Sequence, residues 1–112
     1  GISYAAFERL KKNLGVTSQE LAEAALISRR TLARRKQSGR LRPDESDRLV
    51  RLARVFAEAI DLFVGDTDAA RSWMRKASRA LGGASPFEMA RTEVGTREVE
   101  HLIARAEHGV FG

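Results

Sequence analysis

Apolar residues recur at intervals of three and four along almost the whole chain, which is the spacing of a helix face. No segment alternates apolar and polar residues as a half-buried strand would, and only two prolines interrupt 112 residues. The first apolar stripe, which Gly15 can terminate, consists of Tyr4, Phe7, Leu10 and Leu14. The pattern predicts an all-α protein, and an apolar content of 43% is enough for one compact domain or two very small ones that share a core.

Capping signals predict the next two helices. Thr17 followed three residues later by Glu20 has the pattern of a capping box, in which the two side chains bind amides that a helix start leaves without partners. Ser28 can cap a further helix, and Gly39 can end it. These signals predict two short helices that meet at a tight turn.

A proline marks the start of a long central helix. Pro43 at a first-turn position gives up no hydrogen bond, and Gly65 is placed to end the helix. The main apolar stripe consists of Leu49, Leu52, Phe56, Ile60 and Phe63. Other apolar residues lie off this stripe at Val50, Val55, Ala57, Leu62 and Val64. We therefore expect the second half of this helix to be covered on two sides.

Three further helices are predicted in the remainder of the chain. Asp66 can cap a helix that carries Trp73 toward the core. A Ser-Pro-Phe-Glu run that begins at Ser85 predicts a short helix, which we expect Gly95 to close. The last helix would then extend from Thr96 to about Glu107.

Charge is divided unequally along the chain. Residues 1–43 carry ten Lys or Arg against three acids, a net +7, whereas residues 44–112 carry ten against twelve, a net −2. Between Glu23 and Asp44 there is no acid. The cations in this interval are Arg29, Arg30, Arg34, Arg35, Lys36, Arg40 and Arg42. Because like charges repel, this segment favours a polyanionic partner, and nucleic acid is favoured over a membrane surface since no apolar stripe accompanies the cations.

The spacing of apolar residues from Thr17 to Lys36 is typical of a helix-turn-helix, with an ordinary helical hairpin as the alternative. The turn of that motif favours a glycine with positive φ, but Leu26 occupies the position, so we expect about 1 kcal/mol of strain or a looser turn. The second helix would lie in the DNA major groove. The predicted DNA-binding residues are Gln19, Ser28, Arg29, Arg30, Thr31, Arg34, Arg35, Lys36 and Arg40.

Composition argues against several other classes of protein. With no cysteine the chain has no disulfide or thiolate metal site, which suits a reducing cytosol, and no apolar run is long enough for a membrane helix. The neutral-pH bases are His101 and His108, and neither lies in a known nucleophile motif. Glu98 and His101 have the spacing of a di-metal helix but lack the second pair that such a site needs. We expect no catalysis, no cofactor and no metal.

The second half of the chain carries a more specific pattern. A Leu-Gly-Gly-Ala-Ser-Pro-Phe-Glu run begins at Leu81, and Thr92, Gly95 and a terminal His-Gly-Val-Phe at 108–111 follow it. This pattern resembles the toxin-binding domain of the MbcA/ParS/Xre antitoxins. The Arg-Arg-Thr-Leu run at 29–32 and the Gly-Arg-Leu at 39–41 look like the Xre-type DNA-binding part of the same antitoxins.

The resemblance implies a helix-turn-helix head at residues 1–64, joined through the long central helix to a small toxin-binding helical bundle at residues 65–112. It implies a bacterial cytoplasmic antitoxin, active as a homodimer and in a larger toxin–antitoxin complex, that blocks a RES-domain NAD-degrading toxin and binds double-stranded operator DNA. The toxin-binding residues implied are Leu81, Gly82, Gly83, Arg105, His108, Gly109, Val110, Phe111 and Gly112. A stand-alone helix-turn-helix repressor and a structural DNA adaptor are the alternatives.

Overall fold

The computed structural model describes residues 1–108 and confirms the all-α prediction: no strand occurs in that part of the chain. Its helices are α1 Tyr4–Leu14, α2 Ser18–Ala24, α3 Arg29–Ser38, α4 Pro43–Leu62, α5 Thr67–Arg75, α6 Pro86–Met89 and α7 Glu93–Glu107, with a 3₁₀ turn at Arg79–Leu81. Among these residues, none of the helices combines the length and the apolar character that a membrane crossing requires.

The predicted helix starts are confirmed by hydrogen bonds. Thr17 accepts from the Glu20 amide at 3.1 Å while the Glu20 carboxylate accepts from the Thr17 amide at 3.0 Å, which completes the capping box of α2. Ser85 and Glu88 form the same arrangement at the start of α6. Ser28 caps α3 with a bond of 3.1 Å. Short-range polar contacts therefore set these helix starts, as the sequence predicts.

Contacts within the chain divide it into two compact units, Gly1–Val50 and Arg51–Gly112, and the division falls inside α4. The separation of function between residues 1–64 and 65–112 stays a prediction. In the first unit, the buried apolar side chains come from α1, α2, the turn after α2, the segment before α4 and the first turns of α4. They include Phe7, Leu14, Leu21, Ile27, Leu41 and Leu49.

The second unit has its own apolar core. The buried residues of α4, α5, the 3₁₀ turn and α7 include Leu52, Val55, Ala59, Ala70, Met74, Leu81, Val99 and Ile103. Trp73, predicted to be core, is half-buried and lies against Phe63 with 6.2 Å between ring centroids. Helix α5 ends at Arg75, and Ala77 follows the helix and is exposed.

Gly95 does not close a helix, contrary to the sequence prediction. Thr92 caps α7, and Gly95 lies buried in the first turn of that helix. A Cβ at Gly95 would collide with the carbonyl oxygen of Met89 at the end of α6. The glycine is therefore needed for the close approach of two backbones, and the helix boundary falls before it.

The prediction that α4 is covered on two sides in its second half is also wrong. Val55 is buried and Leu62 is half-buried beside the main stripe, but Ala57 is exposed, and Val64 lies beyond the end of the helix with its side chain 92% exposed. The last helical residue is Leu62, and Val64 rather than Gly65 is the first residue with a positive φ. In its second half, α4 therefore buries a single stripe at three- and four-residue intervals, which is enough to dock one helix face.

Candidate functional site

The turn between α2 and α3 keeps tight helix-turn-helix geometry. The Ile27 amide donates to the Ala22 carbonyl at 2.8 Å, and the Leu26 amide donates to the Glu23 carbonyl at 3.1 Å. Leu26 adopts φ 58°, the left-handed conformation that the motif requires, so the expectation of a looser turn is wrong and the strained alternative holds. The buried Ile27 side chain anchors the turn to the core.

The start of α3 is organised by two hydroxyl groups. Ser28 Oγ accepts from the Thr31 amide at 3.1 Å and lies 2.9 Å from Thr31 Oγ1. Arg34 Nη2 donates to the same Thr31 hydroxyl at 3.4 Å. This exposed network brings three predicted DNA-binding residues together at one end of α3.

A second polar chain joins α2 to α3 across a cleft. Arg29 Nη2 donates to Gln19 Oε1 at 3.2 Å, and Gln19 Nε2 donates to Glu23 Oε1 at 3.4 Å. The cleft has a volume of about 450 Å³ and is lined by Ser18, Gln19, Ala22, Glu23, Ile27, Ser28, Arg29 and Leu32. Leu32 is only half-buried there, and α3 buries none of its side chains.

The exposed side of α3 carries most of the predicted cations. Arg29, Arg30, Arg34 and Lys36 are all exposed, and Arg40 lies exposed just after the helix. Arg40 Nη1 donates to the carbonyl of Gly1 at 2.7 Å. The arrangement therefore presents several cations to solvent from a single short segment, as a surface for a polyanion would.

Arg35 does not belong to this exposed set, which corrects the expectation that every cation of the segment lacks a counter-ion. Its guanidinium donates to both carboxylate oxygens of Glu45 on α4, at 2.8 and 3.1 Å. The two side chains are 15% and 8% exposed. The hydrogen bond from Arg35 holds the pKa of Glu45 below its usual value, while burial opposes that shift and the Arg42 amide adds to it at 2.9 Å. Arg35 therefore ties α3 to α4.

The C-terminal end of α3 is held by the start of the chain. The Tyr4 amide donates to the Gly39 carbonyl and the Leu41 amide donates to the Ile2 carbonyl, both at 2.9 Å. The Ile2 amide donates to the buried Ser46 hydroxyl at 2.8 Å. Because α3 buries no side chain, these backbone bonds and the Arg35 ion pair fix its position.

In the second unit, the predicted toxin-binding residues differ in exposure. Leu81 is 7% exposed and its side chain belongs to the core, so its contact with a toxin stays a prediction. Gly82 and Gly83 are exposed at φ 68° and 92°, where glycine is strongly favoured. Arg105 and His108 are exposed at the end of α7. Gly109, Val110, Phe111 and Gly112 lie outside the described residues.

A half-buried carboxylate pair in the second unit was not found from the sequence. Arg54 donates to both oxygens of Glu100 at 3.1 and 3.3 Å, and Arg54 Nε lies 3.7 Å from Glu58 Oε1. Burial, together with a hydrogen bond and the charge of Glu100, raises the pKa of Glu58 to about 7. The bond from Glu58, with that from Arg54, lowers the pKa of Glu100. The pair thus shares a proton near neutral pH.

The metal spacing noted in the sequence has no counterpart in the structure. Glu98 and His101 are both exposed on α7. Within residues 1–108, no three His, Asp or Glu side chains are close enough together to hold a metal ion.

Comparison with known families matches two successive regions of the chain. Residues 1–54 match the antitoxin Xre-like helix-turn-helix domain, and residues 58–109 match the antitoxin Xre/MbcA/ParS C-terminal toxin-binding domain. The chain belongs to the Xre/MbcA/ParS antitoxin family. As a member of that family it carries both regions in the expected order, so the recognition made from the sequence is confirmed.

Individual antitoxins of the family are similar over most of the chain. A protein named Antitoxin Xre from Yersinia enterocolitica is 43% identical over 97 residues, which cover 86% of this chain and 66% of that protein. An Antitoxin Xre from Photorhabdus laumondii is 41% identical over 81% of this chain and 62% of its own length. An Antitoxin Xre from Pseudomonas putida is 35% identical over 75% of this chain and 53% of its own length. The chain thus spans less than two thirds of the length of each of these relatives.

Proposed function

We propose that this protein is a bacterial antitoxin with two binding activities and no catalytic one. The first unit binds double-stranded operator DNA through α3, and the second neutralises a protein toxin. The observation that carries the DNA assignment is a helix that buries no side chain and exposes Arg29, Arg30, Arg34 and Lys36. Such a helix has no packing role that would explain its charge, whereas the DNA major groove accepts a cationic helix.

The predicted DNA-binding residues can be grouped by the part of DNA that their side chains would contact. Arg30 and Arg34 are one helical turn apart, and a planar guanidinium can donate two bonds to a guanine edge. Gln19 and Ser28 lie where α2 and α3 begin, and their amide and hydroxyl groups suit phosphate contacts. Arg35 acts through Glu45 by holding α3 in place and does not contact DNA itself.

The toxin in this proposal is a RES-domain enzyme that degrades NAD. The match of residues 58–109 to a toxin-binding domain and the names of the relatives support a toxin partner. Gly82, Gly83, Arg105 and His108 would contact the toxin, and residues 109–112 would block its active site. A homodimer, assembled in the cytoplasm with the toxin into a larger complex, would present two copies of α3 to a symmetric operator.

A salt titration tests the DNA activity. If six phosphates are neutralised, log K for operator DNA should fall against log salt with a slope of about −5. Arg30→Ala and Arg34→Ala should each lose discrimination between operator and random DNA, whereas Lys36→Ala should weaken binding to both equally. Arg97→Ala, which removes an exposed cation from α7, is the matched control and should change neither. A slope near zero would refute DNA binding by this unit.

Co-expression tests the toxin activity. The chain should restore growth to bacteria that express the product of the neighbouring reading frame, and deletion of residues 110–112 should abolish that rescue. The deleted variant should keep operator binding, which controls for loss of fold. Rescue that survives the deletion would refute blockade by the terminal residues, and a harmless neighbour would favour a stand-alone repressor.

A further inference from the structure

Three helices of this protein end in the same hydrogen-bond motif. After α1, Gly15 takes a positive φ of 68°, and the Val16 amide donates to the Lys11 carbonyl at 3.2 Å. Leu26 after α2 and Val64 after α4 occupy the same position at φ 58° and 55°. Glycine is favoured there because a Cβ crowds the neighbouring carbonyl. Two of the three motifs therefore carry an aliphatic side chain where glycine would fit better.

Val64 is the more unfavourable of the two. Its amide donates to the Asp61 carbonyl at 3.0 Å, and the Gly65 amide donates to the Ile60 carbonyl at 2.9 Å, so the motif is complete. A β-branched residue at positive φ is an outlier, and the glycine of this segment stands one position later. The Val64 side chain is 92% exposed, so packing within the chain does not compensate for the strain.

Val64 stands beside two partly exposed aromatic residues. Phe63 precedes it, and the ring of Trp73 lies 6.2 Å from the ring of Phe63 at an interplanar angle of 60°. Both aromatic side chains are only half-buried. We call Phe63, Val64 and Trp73 the aromatic tip. Tryptophan and other aromatic residues are enriched among the side chains that contribute most to protein–protein binding.

The charge around the aromatic tip indicates what class of partner it can accept. Residues 55–70 contain four acids and no Lys or Arg, and the cations Arg71, Arg75 and Lys76 follow near Trp73. Asp61, Asp66 and Asp68 are exposed around the turn, and Asp68 pairs with Arg71 at 2.6 Å. The acids on the turn around Val64 would repel the phosphates of DNA, whereas they suit a protein surface whose apolar depression has a cationic rim.

We propose that the aromatic tip is a docking surface for the toxin, in which Val64 enters an apolar depression bordered by Lys or Arg side chains. The proposal rests on the antitoxin function proposed above, since residues 63–73 lie inside the segment that matches the toxin-binding domain. It adds a contact surface separate from the chain terminus. The strain at Val64 is retained because its side chain contributes to binding in the complex.

Substitution of Val64 tests the proposal, because folding and binding should respond in opposite directions. Val64→Gly removes both the strain and the side chain, and Val64→Asn keeps a side chain that tolerates positive φ but makes it polar. Both variants should raise the melting temperature of the full chain. Both should weaken binding to the purified product of the neighbouring reading frame by about fivefold or more, measured by calorimetric titration.

Leu26→Gly is the matched control, since it relieves the same strain in the first unit at a side chain that is 60% exposed. It should raise the melting temperature and leave toxin binding unchanged. Wild-type toxin affinity in both Val64 variants would overturn the docking surface and leave the antitoxin function standing. If the Val64 variants differ from wild type in oligomeric mass without toxin but keep wild-type toxin affinity, the docking surface is overturned too, in favour of contact between copies of the chain. No toxin binding by the wild-type chain would refute the antitoxin function and the docking surface together.

Discussion

Helix α3 and the aromatic tip differ in the sign of the surrounding charge and in the contacts that hold them in place. Residues 24–43 carry seven cations and no acid, whereas residues 55–70 carry four acids and no cation. Helix α3 buries no side chain and is held by caps, backbone bonds and one ion pair, whereas the tip adjoins the buried Ala70 and Met74 of α5. The surface proposed for DNA is thus held by polar contacts, whereas the surface proposed for protein adjoins a packed core.

The packed support of the second unit should be the most sensitive to substitution. Gly95→Val would force a side chain against the Met89 carbonyl, and neither backbone can move without unpacking α6 from α7. We expect a loss of about 3 kcal/mol in the free energy of unfolding, measured by urea denaturation. Val94→Ala, at an exposed neighbouring position, is the control and should change stability little. Equal stability of Gly95→Val and wild type would contradict the close-approach role of Gly95.

Removing the Arg35–Glu45 ion pair that holds α3 should have a smaller effect on stability. Glu45→Gln leaves the Arg35 guanidinium, which is 15% exposed, without a carboxylate and should lower the free energy of unfolding by about 2 kcal/mol. Because the pKa of Glu45 is lowered in the folded protein, its stabilising contribution is present above the unfolded pKa and is lost as pH falls through the folded value. Wild type should therefore lose its advantage over the variant in acid. A stability difference that does not change between pH 7 and pH 3 would argue against the ion pair.

The carboxylate pair of the second unit should respond to pH in the opposite sense. Burial raises the pKa of Glu58 to about 7, so its stabilising contribution is present in acid and is lost as pH rises through 7. We expect wild type to lose about 1 kcal/mol of stability between pH 6 and pH 8, since a partly exposed carboxyl is screened by solvent. Glu58→Gln should remove that dependence, and Glu98→Gln, on the exposed side of α7, should preserve it.

The smallest expected effect is an increase in stability. Leu26→Gly relieves a positive φ in the first unit without removing a buried side chain, and it should raise the free energy of unfolding by about 0.7 kcal/mol. Chemical denaturation of the full chain measures it. Ala33→Gly, in the exposed middle of α3, is the contrasting variant and should lower stability, because there glycine only adds disorder to the unfolded chain.

Much of the helix pattern and of the basic surface could be predicted because the signals are local. The caps at Thr17, Ser28 and Ser85 act within three residues, and the cations of α3 follow one another directly. Glu20 could be paired with Thr17 from spacing alone. Such signals require no knowledge of how distant segments meet.

The exceptions depend on contacts between separate helices. Glu45 lies ten residues beyond Arg35, and Glu100 lies 42 residues beyond Glu58, so no helical spacing connects either pair. Gly95 has the sequence signature of a helix end, yet the Met89 carbonyl requires a glycine inside a helix. The sequence by itself determined the helices, their order and the basic face, since these follow from neighbouring residues. Only the tertiary structure decided which cation is neutralised and which apolar residues stay exposed, because burial and ion pairing depend on contacts formed when the helices pack.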